Sequence, residues 1–123
     1  MKTGEQLKNR ALQLLNYTDR NGRLDSQMYA DVTARMLPLV NQIYSDVWYG
    51  LYDDGFEELG ALTDTLHLPE RVMNEVMPYG VAMLIAQTIG DADNQSLMTA
   101  LYNRKRAILT HKRRRKDVMP DAV

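Results

Sequence analysis

The chain has 123 residues, a formal net charge of −1 and no cysteine. A chain of this length is expected to bury about two-thirds of its unfolded surface in a single core, and the lack of cysteine excludes a disulfide framework and zinc-thiolate sites. The near-neutral charge argues against a general DNA-coating protein, and the longest apolar run, Val81 to Ala86, is far shorter than the roughly 20 residues that span a bilayer.

The first part of the chain predicts an amphipathic helix. Its opening residues, MKTGEQLKNR, are too polar for a secretory signal, and the absence of cysteine agrees with synthesis in the cytoplasm. Thr3 and Gln6 have the spacing of a capping box, and apolar residues then recur at helical intervals. A helix is therefore predicted from about Gly4 to Asn16, and the stretch TDRNGR should end it in a turn between helices.

A second, longer helix is predicted with Asp25 or Ser26 as its cap. Its apolar stripe consists of Met28, Tyr29, Val32, Met36, Val40, Ile43 and Val47, widened by Leu37, Tyr44 and Trp48. Pro38 lies inside this pattern and cannot donate a backbone hydrogen bond. We therefore expect either a kink near Arg35 to Leu39 or two abutting helices.

The stretch from Gly50 to Leu68 fits neither a helical nor a strand period and is predicted to be a long loop. It is rich in glycine, and the wider segment from Asp46 to Asp64 contains six acids and no base. A loop of this length is uncommon in a small domain unless it contacts a partner or contains short elements of its own.

The last part of the chain predicts two further main helices. Leu68-Pro69-Glu70 should begin a helix with proline in its first turn, which Pro78 interrupts. The continuation, PYGVAMLIAQTIG, is apolar nearly all round and is predicted to be the buried central helix, closed by Gly90. Asp91 or Asp93 should cap the final helix. Its predicted apolar stripe consists of Leu97, Met98, Leu101, Tyr102, Ile108 and Leu109, with Asn103, Arg104 and Arg106 facing elsewhere.

These elements predict an all-α fold with four main helices in a small bundle, a long inserted loop and an extended basic C-terminal tail. The predicted helical domain covers residues 1–110, with the loop at about 50–68, and the tail covers residues 111–123. No internal repeat is evident.

The sequence contains no recognisable catalytic constellation, so we predict that the protein is not an enzyme and has no cofactor. It has no phosphate-binding loop, GxGxxG, HExxH or GxSxG motif. Its two histidines, His67 and His111, are isolated and are interpreted as a loop residue and a tail residue. The acids near residue 55 supply oxygen ligands but lack calcium-loop spacing, which favours a solvated loop or one complementary to a basic neighbour over a metal site.

Aromatic residues border the same loop, in the segment WYGLY at residues 48–52 and at Phe56. Such residues often anchor interfaces. Trp48 continues the apolar stripe of the second helix, so core packing and an interface explain it equally well. Tyr49 and Tyr52 are the better candidates for contacts outside the bundle.

The segment from Arg104 to Lys116 contains eight basic residues and no acid. Its five consecutive cations, from Lys112 to Lys116, allow three interpretations. They could contact nucleic-acid phosphates, without sequence specificity because no recognition motif accompanies them. They could also be a solvated end that complements a helix dipole, or an arm that binds another protein.

Residues 68–109, LPERVMNEVMPYGVAMLIAQTIGDADNQSLMTALYNRKRAIL, resemble the head-tail connector, or adaptor, proteins of tailed bacteriophages and prophages. The resemblance rests on the order and spacing of Leu68-Pro69, Pro78-Tyr79-Gly80 and Gly90-Asp91. It implies a structural virion protein, made in the cytoplasm of a bacterial host, that forms a dodecameric ring beneath the portal protein after DNA packaging. Such a ring extends the DNA channel and is a platform for the next head-completion or tail protein.

The resemblance also implies roles for particular residues. The end of the last helix and the tail would dock on the portal through Lys112, Arg113, Arg114, Arg115, Lys116, Val118, Met119 and Pro120. The long loop would contact a neighbouring subunit or the downstream ring through Tyr49, Tyr52, Asp53, Asp54, Phe56, Glu57 and Glu58. Arg113, Arg114 and Arg115 are candidates for facing the DNA in the channel, with no sequence specificity, and no membrane partner is implied.

Two alternatives follow from the residues without the resemblance. One is a small DNA-binding or DNA-packaging accessory protein that uses Lys112 to Lys116 on phosphates. The other is a helical interaction module unrelated to phages. Salt-dependent DNA affinity distinguishes the first alternative from an adaptor, because an adaptor binds its portal through the same tail.

Overall fold

The computed structural model describes residues 2–16, 32 and 34–118, with side chains through Leu109. In these ranges the helices are α1 (Gly4–Leu15), α2 (Met36–Leu51), α3 (Glu70–Glu75), α4 (Met77–Ile89) and α5 (Ala92–Val118). The described residues contain no strand beyond an isolated bridge between Thr3 and Thr65. The prediction of an all-α fold with four main helices is confirmed, and α3 is a short helix that precedes α4.

Side-chain and glycine caps fix the helix ends where the sequence predicted them. In α1 the Gln6 amide donates to the Thr3 hydroxyl at 3.2 Å and the Thr3 amide donates to the Gln6 side chain at 3.0 Å, which completes the capping box. α4 ends at Gly90, whose φ of +78° is in the left-handed region that glycine adopts freely. The Asn94 amide donates to the Asp91 carboxylate, so Asp91 rather than Asp93 is the cap of α5.

Breaks in the helices occur beside the prolines. α2 begins at Met36, after a turn at Arg35, so Pro38 lies in its first turn, where a missing amide hydrogen costs no intrahelical bond. Val32 and Ala34 have helical backbone before this turn. The predicted start at Asp25 or Ser26 lies outside the described residues. Pro69 is the N-cap of α3, so the prediction that it lies in the first turn is wrong by one position.

α4 is the buried central helix, as predicted, and it contacts α1, α2, α3 and α5. Its buried members are Met77, Pro78, Gly80, Val81, Ala82, Leu84, Ile85 and Ala86. At Gly80 an added Cβ would lie 2.7 Å from the Ile43 side chain on α2 and 2.8 Å from the Tyr102 ring on α5. The missing side chain therefore lets both helices pack closely on α4. No polar or charged side chain is fully buried among the described residues.

The predicted long loop is present between α2 and α3, and its second half is fixed to the bundle. Leu59, Leu66 and Leu68 are buried. The Glu5 amide at the start of α1 donates to the Leu62 carbonyl at 2.8 Å, which satisfies one of the amides that a helix leaves unpaired at its start. Asn41 on α2 exchanges two hydrogen bonds with the backbone of Leu59, at 3.0 and 2.7 Å.

α5 differs from its prediction in two respects. Its backbone is helical through Val118, whereas we expected an extended tail from residue 111. Lysine and arginine are good helix formers, and no glycine or proline lies between Ala92 and Pro120, so nothing in this stretch of sequence stops the helix earlier. Leu97 and Ile108, predicted in the apolar stripe, are 53% and 51% exposed. None of the described helices has the length and the apolar composition needed to cross a bilayer.

Candidate functional site

The end of α2 and the first half of the loop form a cluster of aromatic rings. Ring centroids are 4.5 Å apart for Trp48 and Tyr52, 5.2 Å for Tyr44 and Phe56, and 5.9 Å for Tyr49 and Phe56. The Trp48 indole N–H donates to the Asp54 backbone carbonyl at 2.8 Å. The loop is thus folded back against the helix that precedes it, and Trp48 packs partly against the core.

The outer side of this cluster is both aromatic and acidic. Tyr49 and Tyr52 are 53% and 39% exposed, whereas Phe56 is half-buried. The acidic side chains around them are also exposed. We call this set the aromatic-acidic surface, which consists of Tyr49, Tyr52, Asp53, Asp54, Phe56, Glu57 and Glu58. The structure brings together the residues predicted to contact a subunit or a downstream ring, and that contact stays a prediction.

The described residues do not form a metal centre at this surface or elsewhere. No group of three or more His, Asp or Glu side chains within the described ranges lies close enough to hold a metal ion. His67 lies in the loop, as predicted, with its backbone amide donating to the Tyr44 hydroxyl at 3.0 Å. The side chain of His111 lies outside the described residues.

A groove of about 510 Å³ lies between α2 and α5 and reaches Tyr49. Asp46 on α2 joins the two helices there, because its carboxylate accepts from the Tyr102 hydroxyl and from the Arg106 guanidinium, both at 2.5 Å. We call this groove the α2–α5 groove. Sequence reasoning missed the cluster of Asp46, Tyr102 and Arg106, and Arg106 was wrongly expected to face away from the bundle.

The same cluster has perturbed titration behaviour. Burial, followed by the hydrogen bond to Asp46 and that residue's negative charge, raises the pKa of the Tyr102 hydroxyl above its ordinary value. The hydrogen bond to Asp46 is the largest cause of the raised pKa of Arg106. Tyr102 therefore stays a neutral donor, and Arg106 stays charged, to higher pH than an unperturbed tyrosine and arginine would.

A smaller and more apolar groove lies on the other flank of α5, against α3. This α3–α5 groove has a volume of about 160 Å³ and is lined by Arg71, Val72, Glu75, Val76, Lys105, Ile108 and Leu109. Lys105 lies with its ammonium 4.6 Å from the centroid of the Tyr79 ring, a cation–π contact. The Arg71 guanidinium donates a hydrogen bond to the Glu75 carboxylate at 3.0 Å. The two grooves share no lining residue.

The predicted portal-docking residues lie at the far end of α5. Lys112, Arg113, Arg114, Arg115, Lys116 and Val118 are on helical backbone. Met119 and Pro120 lie outside the described residues. The 27 residues of α5 make a helix about 40 Å long, at 1.5 Å per residue, which is about twice the length of α4.

The chain matches no family model, no curated protein and no solved structure. Two kinds of observation therefore bear on function. One is the set of surfaces described above, and the other is the order of short motifs in residues 68–109. Each of those motifs lies at a helix boundary: Leu68-Pro69 precedes α3, Pro78-Tyr79-Gly80 is in the first turn of α4, and Gly90-Asp91 joins α4 to α5.

Proposed function

We propose that the chain is a head-tail connector subunit of a tailed phage or prophage. In this role twelve copies form a ring beneath the portal protein, extend the DNA channel and provide a platform for head completion and tail attachment. The partners are the portal protein, further copies of the chain, the downstream head-completion or tail protein, and the DNA that passes through the channel. The role is structural and requires no catalytic group.

The observation that carries this proposal is the presence of two unlike surfaces on one small helical subunit. A ring is built by repeating one heterologous contact, so each subunit needs two different and complementary patches. The aromatic-acidic surface and the apolar α3–α5 groove with its basic rim are such a pair, and they have no residue in common.

The length and anchoring of α5 support the same role. The helix is joined to α2 by Asp46, Tyr102 and Arg106, and nine residues of helical backbone follow Leu109. The basic run is on this continuation. A helix that is fixed at its base can present cations to an acidic portal surface or to DNA in the channel, and electrostatic attraction of this kind accelerates docking.

Binding to the portal protein encoded in the same genome tests the proposal. The full chain should bind the portal, and a variant that ends at Thr110 should lose binding because it lacks residues 111–123. A variant in which Lys112 to Lys116 are replaced by glutamine separates charge from length. A portal that binds neither the full chain nor the truncated chain would contradict the adaptor role.

Duplex DNA affinity measured at two salt concentrations distinguishes the adaptor from the alternative, a DNA-binding accessory protein. A protein that acts through phosphate contacts should bind DNA tightly as a free subunit. The logarithm of its affinity should fall with the logarithm of salt concentration, with a slope of about −0.9 for each phosphate contacted. Such a protein should lose that affinity on truncation at Thr110. The adaptor proposal predicts weak DNA binding by the free subunit beside strong portal binding.

A further inference from the structure

We propose that the aromatic-acidic surface of one copy docks on the α3–α5 groove of the neighbouring copy, with the ring of Tyr49 or Tyr52 in the groove. This inference rests on the proposed function, because it names the contact that the ring repeats. The occupant of the groove is then a second copy of the chain, and the aromatic-acidic surface and the α3–α5 groove are the two halves of one interface.

The size and lining of the groove favour a side chain as its occupant. Its volume of about 160 Å³ is below the range of roughly 300 to 1,000 Å³ that is usual for small-molecule pockets. Val72 and Val76 form its floor, each with 3% exposure. Ile108 lies at its edge with half of its surface exposed, so a large apolar side chain that entered the groove would remove apolar surface from water.

The chain itself carries side chains of the required kind. The large apolar side chains with the greatest exposure among the described residues are Tyr49, Tyr52, Leu97 and Ile108. Tyrosine combines an apolar ring with a polar tip and is enriched at protein interfaces. Tyr49 and Tyr52 are held by ring contacts to Phe56 and Trp48, so little side-chain entropy remains to be lost on association.

Charge complementarity favours a contact between the surface and the groove over a contact of the surface with itself. The tyrosines are flanked by the acids of the aromatic-acidic surface, and the rim of the groove has a net positive charge from Lys105 and from Arg71, which is paired with Glu75. Opposite charges would therefore meet when the surface of one copy approaches the groove of another. A two-fold contact of the aromatic-acidic surface with itself would instead bring four acids against four, which is unfavourable.

The absence of cysteine allows a direct test by pairwise crosslinking. Two populations of the protein are mixed. One population carries Asp53→Cys, next to Tyr52, and the other carries Ile108→Cys, at the edge of the groove. After assembly, a short thiol-reactive crosslinker should join the two populations and should not join either population to itself. Leu97→Cys is the matched control, because Leu97 is 53% exposed, against 51% for Ile108, and lies on the same face of α5 three turns away.

Charge reversal provides the second readout. Glu57→Lys with Glu58→Lys in the Asp53→Cys population should cause loss of the crosslink. Arg71→Glu with Lys105→Glu in the Ile108→Cys population should then restore it. A crosslink from position 53 to position 97, or from position 53 to itself, in rings that still assemble on the portal would overturn this inference and leave the adaptor role intact. The 53-to-108 crosslink without portal binding would support the contact and contradict the adaptor role.

Discussion

The hydroxyl of Tyr102 donates a hydrogen bond to the Asp46 carboxylate at 2.5 Å, which joins α5 to α2 across 56 positions of sequence. Arg106, one turn further along α5, donates to the same carboxylate. Because α5 continues to Val118, this link fixes the direction of the helix that carries the basic run. Stability at this cluster and presentation of the basic end of α5 are therefore expected to change together.

Removal of the Tyr102 hydroxyl should lower the free energy of unfolding. Tyr102→Phe retains the buried ring and deletes the hydrogen bond to Asp46, which is expected to cost about 0.5 to 1.5 kcal/mol. Urea unfolding measures the difference. Tyr79→Phe is the control, because its ring keeps the contact with Lys105, and it should change stability by less than about 0.5 kcal/mol. An equal loss in both variants would contradict a specific link through Asp46.

The raised pKa of Tyr102 predicts a loss of stability in alkali. In the unfolded chain a tyrosine ionises near its ordinary pKa of 10.0, whereas the folded environment keeps Tyr102 protonated to higher pH. Its contribution is therefore complete below about pH 10 and declines as the pH rises towards the folded pKa. Unfolding measured between pH 9 and 11 should show a steeper decline for the wild type than for Tyr102→Phe. Parallel curves would contradict this assignment.

The close packing at Gly80 predicts that a single methyl group is harmful. In Gly80→Ala the new Cβ would overlap the side chains of Ile43 and Tyr102, so α2 or α5 must move. We expect destabilisation of about 1 to 3 kcal/mol from overpacking, reduced by the roughly 1 kcal/mol advantage of alanine in a helix. Thermal unfolding is the measurement. Gly60→Ala is the control, because its Cβ would meet only Asp64 at 3.5 Å. A stabilised Gly80→Ala would contradict the packing described for α4.

Asn41 is expected to hold the second half of the loop. Asn41→Ala removes both hydrogen bonds to the Leu59 backbone and leaves a partly buried amide and carbonyl without these partners, at a cost of about 1 to 3 kcal/mol. Hydrogen exchange at the Leu59 amide should accelerate more than exchange in α4. Gln42→Ala, at the next and exposed position of α2, is the control. Unchanged exchange at Leu59 in Asn41→Ala would show that other contacts fix the loop.

Local signals allowed much of the fold to be predicted from the sequence. Thr3 with Gln6, Gly90 and Asp91 mark helix ends because caps depend on residues a few positions apart. The apolar pattern of α4 identified the central helix because that pattern is also a local feature of the sequence. The pairs Asp46–Tyr102 and Asn41–Leu59 could not be predicted, because they depend on how helices and the loop cross in space. Whether Ile108 is buried or exposed depends likewise on which flank of α5 is covered by α3.

The candidate site was predictable in part. The residues of the aromatic-acidic surface were identified from aromatic residues beside a glycine-rich acidic stretch and from the resemblance to head-tail connectors, and the folding of the loop onto Trp48 brings them together. The α3–α5 groove was missed, because Val72 and Leu109 have ordinary core spacing and only the packing of α3 against α5 leaves a gap beside them. Nothing in the sequence indicated that Lys105 contacts Tyr79.

The mass of the assembly formed with the portal tests the central claim most directly. Light scattering of the portal ring alone and with excess chain should show an increase equal to twelve subunits, and Glu57→Lys with Glu58→Lys should reduce that increase. A portal mass that stays unchanged with the wild-type chain at all concentrations would contradict the account of this protein as a head-tail connector.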